Sequence, residues 1–150
     1  MSTRYRAAAI GAVLLVAVAV MLSGCTSAPE TPTIRITAPA NGATVLAGDV
    51  RVDVDVENFN IVDKAGQAPV LGEGHVHFYM DLTTLPSTAG QPATPPDPGI
   101  LWAHVTDDTY TFTNVSPGVH TFAAQLVNND HTPVVPVVSD TVTITVTTPG

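Results

Sequence analysis

Apolar and polar residues alternate along most of the chain after residue 32, and this period constrains the fold more than any other feature. In residues 50–57 every second residue is valine, and the residues between the valines are charged. Because side chains of a strand point alternately to its two faces, this pattern predicts a half-buried β-strand. Similar alternation predicts further strands in residues 33–37, 74–81, 109–113, 120–127 and 138–146.

Turns rich in Gly, Pro and Asn separate these segments at short intervals, and no helical period of useful length follows residue 32. About seven to eight short strands in a segment of this length predict an all-β fold, an immunoglobulin-like antiparallel β-sandwich over residues 33–148. Residues 101–106 and 109–113 are predicted to form a hairpin that turns at Asp107-Asp108.

The N-terminal region differs from the rest of the chain. A basic start precedes an apolar run over residues 7–22, which is shorter than the roughly 20 residues that cross a bilayer comfortably. This order is typical of a helical signal peptide. The tetrapeptide Leu-Ser-Gly-Cys that ends at Cys25 is similar to the lipobox of bacterial lipoproteins. The resemblance implies removal of residues 1–24 and a diacylglyceryl group on the Cys25 sulfur.

The expected product is an exported protein, anchored by lipid to the extracytoplasmic face of the cell membrane. Residues 25–32 would then comprise the lipidated cysteine and a flexible tether, because they are rich in Ser, Thr, Pro and Ala. An uncleaved signal anchor is the alternative. Stable anchoring requires more than one acyl chain, which lipidation at Cys25 would supply.

The charge balance argues against anionic partners. The whole chain has 5 basic and 13 acidic residues, and loss of Arg4 and Arg6 with the signal peptide leaves 3 basic against 13 acidic residues, a formal charge of −10. Such a domain is unsuited to nucleic acid and to anionic lipid headgroups, and it attracts cations. Cys25 is the only cysteine, so the exported domain is predicted to contain no disulfide.

Residues 74–81 contain the strongest candidate for a binding site. As a strand, this segment has one apolar face and a second face that carries groups able to bind ligands: His75, His77, Tyr79 and Asp81. His75 and His77 stand roughly 6.5–7 Å apart along the strand, so both imidazoles can reach one metal ion. Neutral imidazole is a common ligand of copper and zinc, and these are the metals expected here.

Two further histidines are candidates for the same site. His104 shares a predicted strand face with Trp102, and His131 lies in a polar loop that follows a strand. Three polar residues are expected to hydrogen-bond to the metal ligands and orient them, and we call them outer partners: Tyr79, Asp81 and Asp130. His120 is in phase with the apolar residues of its own strand, and we interpret it as a hydrogen-bonded residue at the rim of the core.

Two non-enzymatic functions are compatible with these residues. The first is a surface-anchored module that binds copper or zinc through the histidines. The alternative is a metal-free structural or adhesive module that interacts with other envelope proteins. An enzyme is not expected, because the sequence contains no Gly-x-Ser-x-Gly, His-Glu-x-x-His or phosphate-loop motif. An enzymatic site would need a polar pocket under the long Pro-rich connection, residues 82–99.

Three segments occur in an order that resembles a known family. They are Gly74-His75-Val76-His77, Ser116-Pro117-Gly118-Val119-His120-Thr121 and Val127-Asn128-Asn129-Asp130-His131-Thr132-Pro133. Together they are similar to uncharacterised secreted prokaryotic domains of immunoglobulin-like fold, classed as a domain of unknown function. The similarity covers roughly residues 34–147, and it implies fold and location rather than activity. Members often have three consecutive histidines in the strand, where this chain has Val76 in the middle place.

Overall fold

The computed structural model describes residues 30–150, which form nine β-strands. The strands are β1 (Thr33–Ala38), β2 (Thr44–Leu46), β3 (Gly48–Glu57), β4 (Asn60–Ile61), β5 (Glu73–Met80), β6 (Leu101–Val105), β7 (Thr109–Val115), β8 (Gly118–Asn128) and β9 (Ser139–Thr147). The predicted signal peptide, Cys25 and most of the predicted tether lie outside the described residues. Within the described range, no helix is long and apolar enough to cross a membrane.

The strands form two sheets that pack face to face. The small sheet has the order β1-β3-β7, and the large sheet has the order β2-β9-β8-β5-β4. Strand β6 pairs with β5 beyond the short β4, on the edge of β5 away from β8. The small sheet corresponds to strands A, B and E of an immunoglobulin-like domain, and β9, β8 and β5 correspond to G, F and C. The predicted all-β immunoglobulin-like sandwich is therefore confirmed.

The structure refines the predicted sandwich in two details. The described part has nine strands rather than seven to eight, because two very short strands, β2 and β4, lie at the edges of the large sheet. Both pair in parallel with their neighbours, β2 with β9 and β4 with β5, whereas the remaining strand pairs are antiparallel.

The hydrophobic core lies between the two sheets. The strand with alternating valines is β3, where Val50, Val52 and Val54 are buried and the residues between them are exposed or half-buried. Aromatic side chains of the two sheets pack against each other. The ring centroids of Phe112 in β7 and Phe122 in β8 are 5.2 Å apart. In β1, β3 and β9 the alternation of apolar side chains thus predicts correctly which face of the strand is buried.

The predicted hairpin of residues 101–106 and 109–113 is wrong. Strand β6 pairs with β5 in the large sheet, whereas β7 pairs with β3 in the small sheet. The connection at Asp107-Asp108 crosses between the sheets, and the Asp108 carbonyl accepts a hydrogen bond from the Val54 amide at 2.8 Å. Alternation sets which face of a strand is buried and does not select its partner, and Asp-Asp lacks the glycine that favours a two-residue hairpin turn.

Strand β5 is buried on both faces, and residues 74–79 are all buried. Its apolar face packs in the core, where Val76 and Phe78 are fully buried. Its other face contacts the connection between β5 and β6, which we call the covering loop (residues 82–99), and the loop after β8. The polar side chains of β5 therefore lie in an interior space outside the main core.

Gly74 is required by the close approach of β5 and β8. A Cβ atom at this position would overlap the backbone carbonyl of Val127 and would lie 2.9 Å from Phe59 Cζ. We predict that Gly74→Ala lowers the free energy of unfolding by at least about 2 kcal/mol, because backbone cannot move as a flexible side chain can. Urea unfolding of the domain measures this change.

The matched control is Gly99→Ala, where the added methyl meets only the Asp97 side chain, with its nearest atom at 3.2 Å. This exposed substitution should change stability by no more than about 0.5 kcal/mol. Equal effects of the two alanine variants would contradict the packing argument.

Candidate metal centre

Four histidines from three separate elements meet beside β5. His75 and His77 come from β5 itself, and His104 comes from β6, where it is the direct cross-strand partner of His77. His131 comes from the loop after β8. Each residue offers one ring nitrogen, and the four nitrogens all lie within 4.8 Å of one another. These four residues are called the histidine cluster below.

The spacing within the histidine cluster approaches that of a metal coordination sphere. His75 Nε2 lies 3.1 Å from His77 Nε2, and His104 Nδ1 lies 3.1 Å from His131 Nε2. Ligand bonds of about 2.05 Å in a tetrahedral site place ligand atoms about 3.3 Å apart. The two pairs meet through His75 and His104, whose ring centroids are 3.9 Å apart. Small side-chain movements would bring all four nitrogens to one ion.

The orientation of His77 is set by the covering loop. The Ala93 carbonyl accepts a hydrogen bond from His77 Nδ1 at 2.8 Å and another from the Tyr79 hydroxyl at 2.7 Å. With Nδ1 protonated, the lone pair of neutral His77 is on Nε2, which faces His75. Metal-binding histidines commonly donate their second ring nitrogen in this way, which orients the ring and raises its basicity.

Gln125 continues this network from β8. It is fully buried, and its side-chain oxygen lies 3.0 Å from the Tyr79 hydroxyl, whose single hydrogen is shared between Gln125 and the Ala93 carbonyl. Its side-chain amide donates to the Pro86 carbonyl at 2.7 Å. The Ala93 amide also donates to the His131 carbonyl at 2.6 Å. The covering loop is therefore held at Pro86 and at Ala93, and its contacts at Ala93 reach both His77 and His131.

His75 has an unsatisfied polar atom. The residue is fully buried, and its Nδ1 atom has no hydrogen-bond partner among the described residues. Buried polar atoms are nearly always paired, because an unpaired one loses its hydration without compensation. Since the lone pair of His77 is on Nε2, neutral His75 must donate from its own Nε2, which leaves the Nδ1 lone pair without a donor. Among the described residues, the histidine cluster therefore contains one acceptor without a donor.

The loop that carries His131 is closely constrained. His131 has a φ angle of +65°, a conformation that non-glycine residues adopt rarely. Its amide donates to the Asn128 carbonyl at 2.9 Å, and the Asn128 amide in turn donates to the Thr132 carbonyl at 2.8 Å. The buried Asn129 side chain donates to Glu73 Oε1 at 3.0 Å. These contacts maintain the unusual backbone that points His131 at the cluster.

Burial lowers the pKa of three of the four histidines and so favours their neutral form. It lowers the pKa of His75 to about 3, and the neighbouring histidines act in the same direction. Burial also lowers the pKa of His77 to about 4, against the opposing effect of its hydrogen bond to Ala93. The pKa of His104 is lowered by burial and by His131. Neutral imidazole is the form that binds metal, so these shifts favour a metal site at neutral pH.

Of the three predicted outer partners, only Tyr79 lies beside the histidine cluster. Tyr79 lies next to the histidine cluster, with its hydroxyl 3.2 Å from His77 Nδ1. The prediction for Asp81 is wrong, because its carboxylate accepts a hydrogen bond from the Thr121 amide at 2.9 Å and contacts His120 Nδ1 at 2.8 Å. Asp81 lies just past the end of β5 with a φ angle of +58°, so strand alternation no longer controls its direction.

Asp130 is also not an outer partner of the ligands. Its carboxylate accepts hydrogen bonds from the Thr132 amide at 3.1 Å and from the Thr132 hydroxyl at 2.7 Å, which stabilises the turn. His120 lies at the rim, as expected, bonded to Asp81 and to the Ser116 carbonyl.

Sequence reasoning missed two residues that support the cluster. Ala93 acts through its backbone carbonyl, which every residue type has, so the sequence does not distinguish it. The sequence contains a weak indication of Gln125, because it is a polar residue within an apolar strand. In the structure it is the cross-strand partner of His77. Trp102, predicted to share a face with His104, is 38 % exposed, and its ring centroid is 5.0 Å from that of His77.

We predict that the metal-free domain loses stability as the pH falls below 6.5. The unfolded chain has ordinary histidines with a pKa of about 6.5, whereas His75 and His77 stay neutral in the folded state down to about 3 and 4. The unfolded state therefore binds more protons, and the loss reaches about 1.4 kcal/mol per pH unit for each residue. Urea unfolding of chelator-treated protein between roughly pH 7.5 and 4.5 measures this loss.

A His75→Asn/His77→Gln variant should show a smaller loss of stability over the same pH interval. His120→Asn is the control, because the pKa of His120 is raised by Asp81 and its contribution has the opposite sign, being lost as the pH rises. An unchanged acid-side slope in the double variant would contradict this interpretation of the cluster.

Comparisons with known proteins give distant structural likenesses. The search against curated proteins gave no match. An engineered protein of known structure aligns at 18 % identity and a TM-score of 0.43, over 80 % of this chain and 21 % of that longer chain. The PKD domain of the human receptor SorCS2 aligns at 14 % identity and a TM-score of 0.39, over 99 % of this chain and 98 % of that domain. Both TM-scores are low, and the strand order of the two sheets is the observation that defines the fold.

A family model matches residues 52–147, a segment that includes all four residues of the histidine cluster. The chain therefore belongs to the family described as Domain of unknown function (DUF4399).

Proposed function

We propose that this protein is a lipid-anchored, extracytoplasmic module that binds one transition-metal ion, copper or zinc, through the histidine cluster. The observation that supports it is the convergence of four ring nitrogens, from β5, β6 and the loop after β8, within 4.8 Å. Three separate chain segments supply these ligands.

The chemistry of the donor set favours a borderline transition metal. All four candidate ligands are imidazoles, which suit zinc, copper, iron and nickel better than calcium or magnesium. Two of them, His75 and His77, are fully buried and neutral at neutral pH. A single proton joins their two Nε2 atoms, 3.1 Å apart, and His75 Nδ1 has no partner among the described residues. A cation bound by both Nε2 atoms would take the place of that proton, which would move to His75 Nδ1 and leave the ring neutral.

The number of ligands supports binding rather than catalysis. A tetrahedral metal held by four protein ligands has no open position for a substrate or an activated water. The proposed module therefore stores, delivers or is stabilised by its metal and does not act as an enzyme. Exchange would take place through His104 and His131, because these two are only partly buried whereas the β5 pair is enclosed.

A metal-free structural or adhesive module, with envelope proteins as partners, is the second candidate. One observation favours it: the hydrogen bonds of His77 and Tyr79 to Ala93 hold the covering loop in place without any ion. In this case the histidines would fix the loop for contact with another protein, and metal would not change the stability.

We predict saturable one-to-one binding of Zn²⁺ or Cu²⁺ to the wild-type domain beginning after Cys25. At a free metal concentration about 100 times the Kd, binding adds about 2.7 kcal/mol to the free energy of unfolding, which corresponds to a rise of roughly 10 °C in Tm. Isothermal titration calorimetry and thermal melts measure both effects. His75→Ala/His77→Ala should abolish them, whereas His120→Ala, outside the histidine cluster, should retain them.

His104→Gln provides a second test at a partly buried position, where loss of the fold is not expected. It should weaken binding while the far-ultraviolet circular dichroism stays unchanged. Failure of the folded wild-type protein to bind either metal would refute metal binding and leave the structural alternative.

We predict that the anchor depends on Cys25. Bacterial cells supplied with an alkyne-labelled fatty acid should label the wild-type chain, which should partition into the detergent phase in Triton X-114. Cys25→Ser should remove both properties, because the thioether requires the thiol sulfur.

The matched control for the anchor is Ser27→Ala, two residues further along the predicted tether. This variant keeps the thiol and should retain both the label and the detergent partition. An unlabelled wild-type chain that stays in the aqueous phase would refute the anchor.

A further inference from the structure

Three exposed aliphatic side chains lie together at one end of the sandwich. Leu71 is 94 % exposed, Val135 is 62 % exposed and Val70 is 50 % exposed. They belong to two loops, the one before β5 and the one after β8, and they line a single groove of about 300 Å³. Side chains exposed singly are ordinary on a protein surface, but adjacent ones around an apolar groove indicate a contact surface. We call these three residues the apolar rim.

The N-terminal end of the described chain lies at the same groove. Thr31 and Pro32 form part of its wall. Cys25 precedes Thr31 by six residues, which can span at most about 22 Å. A lipid on Cys25 would therefore keep the groove within about 22 Å of the membrane surface, whatever path the intervening residues take.

We propose that the apolar rim rests in the interfacial region of the lipid bilayer and orients the anchored domain. This inference rests on the lipid anchor of the proposed function. The occupant is a lipid surface because the anchor holds the rim close to it, and because aliphatic side chains gain by leaving water at the headgroup boundary. The acidic domain favours zwitterionic over anionic lipid.

This orientation has a consequence for the histidine cluster. The groove is lined by Gly72, just before β5, and by Asn128, the last residue of β8. His75 follows Gly72 by three residues, a distance of roughly 10 Å along the chain, and pairs with Val127 beside Asn128. Contact of the rim with the bilayer therefore places the cluster in the membrane-facing half of the domain. Metal exchange would then occur close to the membrane surface.

The test uses the full-length lipidated protein in phosphatidylcholine vesicles. Leu71→Cys and Val119→Cys are each labelled with bimane, and the lipid carries a nitroxide quencher. The matched control is Val119, which is 70 % exposed and lies near the start of β8. It is roughly 30 Å along that strand from Asn128, which lines the groove. Both substitutions are at exposed positions, so each should change stability by no more than about 0.5 kcal/mol.

We expect lipid nitroxide to quench the label at position 71 at least about threefold more than the label at position 119, given insertion to the headgroup boundary. Equal quenching would overturn the proposal. Protection of position 71 from aqueous iodide without lipid quenching would indicate contact with a second copy, and would overturn it too.

The same experiment separates this proposal from the proposed function. If wild-type protein does not float with vesicles and its Cys25 thiol accepts bimane, the anchor is absent, and both the anchoring part of the proposed function and the orientation fail. If the protein floats, its Cys25 is blocked and position 71 is not quenched, the anchor stands and only the orientation fails.

Discussion

The burial of β5 on both faces is the constraint on which the rest of the site depends. One face of this strand belongs to the sandwich core through Val76 and Phe78. The other face carries His75, His77 and Tyr79, which are also fully buried. Buried polar groups need partners. The covering loop supplies them through the backbone carbonyl of Ala93, and the neighbouring elements supply Gln125 and further histidines.

The histidine cluster is consequently divided between a rigid and an accessible part. His75 and His77 are held by an inner strand of the large sheet, and the tautomer of His77 is set by Ala93. His104 and His131 come from an edge strand and a loop, and they are partly buried. A site built in this way combines two enclosed ligands with two that solvent can reach, which suits the proposed uptake and release of an ion.

Much of the fold and part of the site could be predicted from local pattern. Alternation identified the buried faces of β3, β5 and β9, and the spacing of His75 and His77 placed both on one face. The hairpin of β6 and β7 was wrong because alternation is compatible with more than one partner strand. Asp81 was misplaced because it lies past the end of its strand, where a positive φ redirects the side chain. Ala93 could not be found at all, because a backbone carbonyl leaves no mark in the sequence.

The sequence by itself determined the absence of a helical period after residue 32, the two faces of β5 and the presence of a single cysteine, Cys25. These are properties of residue type and of short-range spacing, which strand geometry converts directly into direction. Only the tertiary structure decided that β6 joins β5, that His104 and His131 reach the β5 pair, and that the covering loop closes over them. Those outcomes depend on contacts between residues far apart in the chain, whose free energies no local pattern records.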